Sequence, residues 1–330
     1  MTLPRIGITL GDPGGVGPEV VLKTWTGDSR LPAADYVLFA SRAVLQAEEK
    51  ALGVRLDFGA SRTEPGDPAG SLTWRELPSS LKAVTKGSPS AKHGRESFLY
   101  FKTAVAEARE GKLDAVVTAP ISKSSWALAG VPWKGHTDYL AQFYAGAIMA
   151  FWSEELKVAL LSHHISLKAA LKKIRRDSLR DFFYSLHRAV KRARPGGFEF
   201  LVAGLNPHAG EDGLLGREEI EEISPAIREA RRQGLRISGP YPPDVVFRSA
   251  LGQKDKMVIA LYHDQGLIPF KLAAFETGVN ISLGLPFVRT SPDHGTAFDI
   301  AGKNKADPRS LGEAIKLAVS LSQPSLAQGG

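Results

Sequence analysis

RIGITLGDPGGVGPEVVLKTW, residues 5–25, decides the fold. Its first part, RIGITLG (5–11), is a short apolar run closed by glycine and reads as a strand. PEVVLKTW (18–25) has helical spacing and opens on Pro18, where a first-turn residue needs no N–H partner. A strand, a glycine-rich turn and a helix in succession begin a βαβ unit, so a parallel sheet is expected. The turn GDPGGVGPE stands where a phosphate-binding loop would stand. It is not G-x-G-x-x-G, because Asp12 and Pro13 separate Gly11 from Gly14, and no Gly-Lys-Ser/Thr follows as in a P-loop. A structural and a functional role are both open for it.

The same alternation continues outward. ADYVLFA (34–40) is a strand, SRAVLQAEEKAL (41–52) a helix behind Ser41, and 53–80 an irregular stretch with Pro65, Pro68 and Pro78. SFLYFKTAVAEAREG (97–111) reads as a helix closed by Gly111, and LDAVVTAP (113–120) as a strand. After a loop through GHTD come the helix DYLAQFYAG and the strands MAFWS and LKVALLS. A basic amphipathic helix follows within 168–197, with Leu167, Leu171, Ile174, Phe182, Leu186 and Val190 at helical spacing and Pro195-Gly196-Gly197 at its end. FEFLVAGLNPH (198–208) is a strand, 218–233 a helix, GPYPPD (239–244) a turn, MVIALYHD (257–264) a strand, and GEAIKLAVSLSQ (312–323) the closing helix. Strands alternating with helices predict an α/β fold, mainly parallel sheets with helices on both faces.

Composition narrows the function classes. The chain has 330 residues, 43% hydrophobic and 23% charged, which is ordinary for globular protein and gives a length prior of about two domains. No apolar run approaches the roughly 20 residues that span a bilayer, and MTLPRIGITL lacks the pattern of a signal peptide. A cytoplasmic protein is expected. With no cysteine, a metal must sit on His, Asp or Glu. The net charge of +7 suits nucleic acid, anionic membrane or a phosphorylated small substrate; no nucleic-acid-binding motif is present, so a solvated cationic helix face is the expected use of the basic segment.

Three histidines stand out, each after an apolar run and followed by turn residues: SHHISL (162–167), GLNPHAGE (204–211) and LYHDQG (261–266). Histidines at strand ends reach the rim of a sheet, where open α/β folds place ligands. His164, His208 and His263 therefore read either as a catalytic metal site with an open position or as imidazoles hydrogen-bonded to backbone. A second polar, glycine-punctuated run, SPDHGTAFDIAGKNKADPRSL (291–311), carries Asp293, His294, Thr296 and Asp299 with Gly295 and Gly302, and reads as a binding loop.

GD-x-GG-x-GPE and HGTA-x-DIAGK resemble segments of isocitrate and isopropylmalate dehydrogenases. A closer resemblance covers nearly the whole chain. GITLGDPGGVGPE, TAPISK (118–123), GHTDYLA (135–141), GLNPHAGEDGLLGREE (204–219), YHDQGLIPFK (262–271) and GLPFVRTSPDHGTAFDIAGK (284–303) resemble the 4-hydroxythreonine-4-phosphate dehydrogenase family.

That resemblance implies a two-lobed isocitrate/isopropylmalate dehydrogenase-like fold, with a cofactor-side lobe of 1–130 plus 285–330 and a metal, substrate and dimerisation lobe of 131–284. It places the active site in the cleft between lobes of a homodimer whose two subunits line each site. It implies NAD- or NADP-linked oxidation of 4-phosphooxy-L-threonine at its secondary alcohol, then decarboxylation to 3-amino-2-oxopropyl phosphate in pyridoxal 5'-phosphate (vitamin B6) biosynthesis. His164, His208 and His263 are the implied ligands of one divalent ion, zinc, magnesium or cobalt. His136, Thr137, Lys271, Asn280 and Arg289 are the implied substrate contacts. His136, Lys271, Asp244 and Asp264 are the implied catalytic groups, the two aspartates lying near the metal. Gly11, Asp12, Asp293, His294, Gly295, Thr296 and Asp299 are the implied cofactor side. The residue types suit the task, since Lys271 and Arg289 complement phosphate and carboxylate, and a metal lowers the pKa of a bound alcohol.

Two departures from the family pattern, Ser162-His163 before the first metal histidine and Asp138-Tyr139 in GHTDYLA, bring in a related substrate class, threonate or erythronate 4-phosphate. A phosphate acyltransferase shares the broad architecture but has no need of three histidines, and NADH formation separates it from a dehydrogenase.

Overall fold

The computed structural model describes residues 2–27, 30–59, 70–194 and 196–323. The chain forms two compact units, one of Met1–Ala145 with Leu285–Gly330 and one of Gly146–Gly284. Pro65, Pro68 and Pro195, named above, lie outside the described residues.

The first unit is built on strands β1 (Arg5–Thr9), β2 (Asp35–Ala40), β3 (Ser71–Glu76), β4 (Ala115–Thr118) and β11 (Val288–Pro292), in the order β3-β2-β1-β4-β11. All four pairings are parallel, with Ile6 opposite Tyr36 and Ala115, and Arg289 opposite Val116. Parallel strands covered on both sides are apolar throughout, and Ile6, Ile8, Val116 and Val117 are fully buried. Helices α1 (Gly17–Thr26), α2 (Arg42–Leu52), α3 (Ala91–Arg109) and α11 (Arg309–Ser322) supply the cover. α3 packs on β1, β2 and β4, and α11 on β4 and β11. Short helices α4 (Lys123–Leu128) and α5 (His136–Ala141) follow β4.

Local chemistry sets the boundaries. Pro18 sits in the first turn of α1, and the left-handed Gly53 (φ +67°) ends α2. α3 starts six residues before the position expected from sequence, because Ser90 caps it by accepting from Lys92 N at 3.2 Å. β3 falls inside the stretch read as irregular. It is an edge strand with only Leu72 fully inward, so its alternation signal is weak.

The second unit orders its strands β10-β5-β6-β9-β7-β8, where β5 is Ile148–Trp152, β6 Lys157–Leu160, β7 Glu199–Ala203, β8 Ile237–Tyr241, β9 Lys256–Ala260 and β10 Val279–Leu283. β5 runs antiparallel to β10 and β6; β6, β9, β7 and β8 are mutually parallel. The core gathers Phe151, Val158, Leu160, Val258, Ala260, Leu267 and Phe270. β8 was hidden by GPYPPD. It is an edge strand, the place in a sheet where Pro240 without its N–H is tolerated.

The basic segment is two helices, α6 (Leu167–Leu171) and α7 (Arg176–Ala193). Ile174, Leu179, Phe183, Leu186 and Val190 form its inward face, whereas Leu167 and Leu171 are exposed. A π-helical turn, Glu219–Ile223, leads into α8 (Ser224–Arg232), then α9 (Val246–Ala250) and α10 (His263–Ala274) complete the unit. Predominantly parallel strands alternating with helices are the fold class expected from the sequence.

Candidate functional site

In the first unit β4 and β11 are neighbours, and the C-terminal end of β4, the start of β11 and the start of α5 bring three residues together. Thr118 closes β4, Arg289 lies on β11, and His136 is the first residue of α5. One guanidinium nitrogen of Arg289, Nη2, donates to Thr118 Oγ1 at 2.6 Å and to His136 Nδ1 at 2.8 Å. The His136 ring rests 4.4 Å from Phe101 and 5.7 Å from Trp126, centroid to centroid, and its Nε2 is covered with no protein partner. Trp126 is itself fixed by its indole N–H to Ser97 Oγ at 2.9 Å. Burial, then the adjacent cation, hold the His136 pKa well below the usual imidazole value, so the ring is neutral. Burial lowers Arg289 to about 10, which leaves it charged at neutral pH. Thr137 follows in the first turn of α5. Thr118 carried no sequence signal beyond its place in TAPISK.

The glycine turn is packed into the first unit. Gly11 and Asp12 are buried, and their contacts are with the protein. Asp12 N donates to Pro120 O at 2.9 Å, and Asp12 Oδ1 accepts from Gly14 N at 2.8 Å. Gly11 is left-handed (φ +70°), and a Cβ there would lie 2.3 Å from Pro120 O, so only glycine fits. Burial raises the Asp12 pKa; beside it lies His93, buried in the first turn of α3 with Nδ1 3.8 Å from Asp12 Oδ1. The turn is thus a buried polar knot that shapes its neighbour. Val16 N donates to Thr296 O at 2.9 Å, and a Cβ on Gly15 would strike that carbonyl at 2.8 Å.

Around Thr296 the 293–299 loop is part-exposed. His294 Nδ1 meets Gly295 O at 3.0 Å while its Nε2 is covered and has no partner. Gly295 and Asp299 are exposed, Gly295 with open space where a Cβ would project. An unpartnered ring nitrogen in a polar loop with open backbone suits the amide or phosphate groups of a nicotinamide cofactor.

In the second unit, β6, β9 and β7 are adjacent, and each candidate metal histidine lies shortly beyond one of their C-terminal ends. None is in a strand. His163 and His164 occupy a bend after β6, so strand alternation does not separate them, and their rings are 5.3 Å apart. His263 opens α10, and its Nδ1 lies 2.7 Å from Asp264 Oδ1. With Nδ1 engaged in this way, Nε2 is the ring nitrogen that could serve as a ligand atom. The His164 and His263 rings are 5.5 Å apart. His208 sits on a left-handed turn over 207–213, its side chain 68% exposed and its Nδ1 3.7 Å from Glu211. His164 (φ +45°) and His208 (φ +53°) both hold the left-handed backbone that non-glycine residues adopt at a cost.

The three histidine-bearing ends are braced by side chains. Ser162 Oγ donates to Leu261 O at 2.8 Å. Gln265 accepts from Leu261 N and donates to Gly204 O, both at 2.7 Å. Glu219, buried, accepts from Leu205 N and Asn206 N at 2.7 Å, just ahead of His208. Among the described residues no group of three or more His, Asp or Glu side chains stands close enough to hold a metal ion, so His164 and His263 are brought together and His208 is not. Asp244 is exposed in the turn before α9, Asp264 and Lys271 are exposed on α10, and Asn280 is half-buried on β10 opposite Phe151.

The chain is similar to known proteins over nearly its whole length. The family model for "Pyridoxal phosphate biosynthetic protein PdxA" matches residues 32–318. The 4-hydroxythreonine-4-phosphate dehydrogenase of Aquifex aeolicus (strain VF5) is 40% identical over 332 residues, covering 96% of this chain and 98% of that protein. A protein of Halalkalibacterium halodurans, named provisionally as a D-threonate 4-phosphate dehydrogenase, is 38% identical over 323 residues, covering 96% of each chain. The crystal structure of the Klebsiella pneumoniae 4-hydroxythreonine-4-phosphate dehydrogenase superposes with a TM-score of 0.85 at 36% identity, covering 98% of this chain and 99% of that one. The chain belongs to the PdxA family of pyridoxal phosphate biosynthetic proteins.

Proposed function

We propose that the protein oxidises the secondary alcohol of 4-phosphooxy-L-threonine with NAD or NADP and releases CO2 from the resulting β-keto acid, giving 3-amino-2-oxopropyl phosphate for vitamin B6 synthesis. The observation that carries this reading is the node of Thr118, Arg289 and His136. It is a buried cation joined to a neutral imidazole whose second nitrogen, Nε2, is also buried and has no hydrogen-bond partner among the described residues. Such a node recognises an anionic group, the guanidinium supplying charge and His136 Nε2–H a directed donor. In this reading Thr137 and Asn280 add polar contacts, and Lys271 is a second cation for the other anionic end and a group able to move a proton at the reacting alcohol.

Imidazole donors suit zinc or cobalt better than magnesium, and His164 and His263, with rings 5.5 Å apart, would hold one such divalent ion only with His208 joining them, which it does not do in this structure. His263 has Nδ1 engaged by Asp264 and Nε2 available, and the backbone strain at the other two is of the kind functional sites keep. When bound, such an ion acidifies the substrate hydroxyl and stabilises negative charge on its oxygen. Asp264 orients His263, and Asp244 is placed in the exposed turn of the same unit as a proton acceptor. The 293–299 loop, with His294, Gly295, Thr296 and Asp299, is the proposed cofactor contact, shaped from behind by Gly11, Asp12 and Gly15.

Relatives named provisionally for D-threonate 4-phosphate, together with Ser162-His163 and Asp138-Tyr139, favour a second reading in which the substrate is a four-carbon sugar-acid phosphate. One experiment decides between them. NADH formation and CO2 release are followed for the purified protein with 4-phosphooxy-L-threonine and with D-threonate 4-phosphate, before and after chelation. Turnover of the first that chelation abolishes and zinc or magnesium restores is expected. Turnover of the threonate ester alone moves the protein to the second reading, and a rate indifferent to chelation removes the metal from the mechanism.

We further propose a homodimer. Ile268, Leu272 and Phe275 recur at i, i+4 and i+7 along α10 and are 62%, 84% and 76% exposed. An unpaired apolar stripe of this kind is the mark of a protein interface, and Lys271 lies on the same helix.

A further inference from the structure

We propose that Thr118 is a positioning residue. Its hydroxyl oxygen anchors the Arg289 guanidinium so that the second hydrogen on the same nitrogen reaches His136 Nδ1 and fixes His136 as the Nε2–H tautomer. The inference deepens the reading in which Arg289 and His136 meet the anionic substrate and rests on it.

Two hydrogens on one nitrogen fix the tautomer. Arg289 Nη2 carries two; one goes to Thr118 Oγ1 at 2.6 Å and one to His136 Nδ1 at 2.8 Å. A guanidinium nitrogen never accepts, so His136 Nδ1 must be the acceptor and the ring proton must sit on Nε2. Thr118 Oγ1 and His136 Nδ1 are 3.5 Å apart, too far for the hydroxyl to hold the ring directly. Thr118 therefore acts through Arg289. The hydroxyl is well placed for this, being fully buried on the last residue of β4 and beside β11, with Val117 in register with Thr290. His136 cannot escape the constraint by taking a second proton, because burial and the neighbouring cation disfavour the imidazolium. Its Nε2 is covered and meets no protein acceptor. The result is a single N–H, aimed by three residues and left for a ligand oxygen.

Valine has nearly the shape of threonine and none of its acceptor, so Thr118→Val isolates the hydroxyl, and Thr118→Ser restores it. Nitrogen-15 NMR of labelled histidines in the ligand-free protein distinguishes the two neutral tautomers, a readout that a packing role does not move. The wild type and Thr118→Ser are expected to show His136 as Nε2–H alone; Thr118→Val is expected to show a mixture of tautomers. With 4-phosphooxy-L-threonine, Thr118→Val should raise KM ~10-fold, equivalent to about 1.4 kcal/mol, with kcat little changed, and Thr118→Ser should restore KM. A wild-type His136 protonated on Nδ1 overturns the proposal. So does a valine variant with unchanged tautomer and KM, or a serine variant that behaves like valine. Should Thr118→Val fail to fold, Thr118→Ala carries the same comparison. If the substrate is not turned over at all, the functional reading falls, and the tautomer measurement still decides the role of Thr118.

Discussion

Three histidines, His93, His136 and His163, share one electrostatic fate: burial lowers each pKa below the usual imidazole value. All three are neutral in the folded protein at neutral pH, and each takes up a proton near pH 6.5 once the chain unfolds. Below that pH the unfolded chain binds more protons than the native one, so stability is complete above about pH 6.5 and is lost as pH falls toward the depressed native values. The melting temperature is accordingly expected to drop between pH 7 and pH 5, and replacing His136 with Asn should flatten part of that slope. A wild-type melting temperature that is level across this interval, or a variant slope identical to wild type, contradicts the assignment. Asp12 is displaced in the opposite sense, since burial raises its pKa, and its contribution falls as pH rises above the ordinary carboxylate value. Between the ordinary carboxylate value and its raised native value Asp12 holds a proton only in the folded chain, so over that range it opposes the slope of the three histidines.

No candidate metal histidine belongs to a strand, His164 and His208 lying in connections and His263 opening α10, and two of the three segments are tied together by one glutamine. Gln265 lies in the first turn of α10, and its amide ties the end of β9 at Leu261 N to the segment after β7 at Gly204 O. Gln265→Leu keeps the volume and strips both bonds, leaving a buried N–H and a buried carbonyl unsatisfied. About 2–4 kcal/mol of stability should be lost in urea unfolding at neutral pH. Zinc affinity by calorimetry should fall roughly 10–100-fold, the usual effect of removing a group that orients ligands. Equal affinity in wild type and variant would detach Gln265 from the histidines. The sequence exposed most of this scaffold, since helical spacing and apolar strands at 5–11, 34–40, 113–120 and 198–208 are local signals. It concealed β3 and β8, both edge strands, one nearly without alternation and one carrying Gly239-Pro240, and it gave no strand for β10 or β11. It also misplaced His263, because YHDQG continues an apolar run without a break while Tyr262 already ends the extended backbone and α10 begins. The role of Thr118 was out of reach, for it depends on β11 returning from the far end of the chain to lie beside β4.

At the scale of the whole molecule, a net charge of +7 and the exposed apolar residues point in different directions, one toward an anionic partner and one toward a protein. The basic helix answers the first in part. Arg175 pairs with Glu222 at 3.0 Å and Arg176 with Glu229 at 3.0 Å, with Arg180 3.8 Å from Glu229, so part of its positive charge is used in tying the start of α7 to the elements that follow β7. Among the described residues no helix is long and apolar enough to cross a membrane. The stripe on α10 has no such internal use. Leu272 is 84% exposed between Ile268 and Phe275, and removing a fully exposed leucine and a phenylalanine from water is worth roughly 1.5–3 kcal/mol each. A twofold contact counts the same residues twice, which makes a single helix face able to carry an obligate pair. Leu272→Glu places two carboxylates in that contact and leaves the hydrophobic core of the unit untouched, so the variant should sediment as a monomer while its circular dichroism stays that of the wild type. The comparison with Lys271→Ala separates association from chemistry: that variant should remain dimeric and lose turnover of 4-phosphooxy-L-threonine. A wild type that sediments as a monomer with full activity would remove the dimer, and a Leu272→Glu protein that stays dimeric would move the interface to another face.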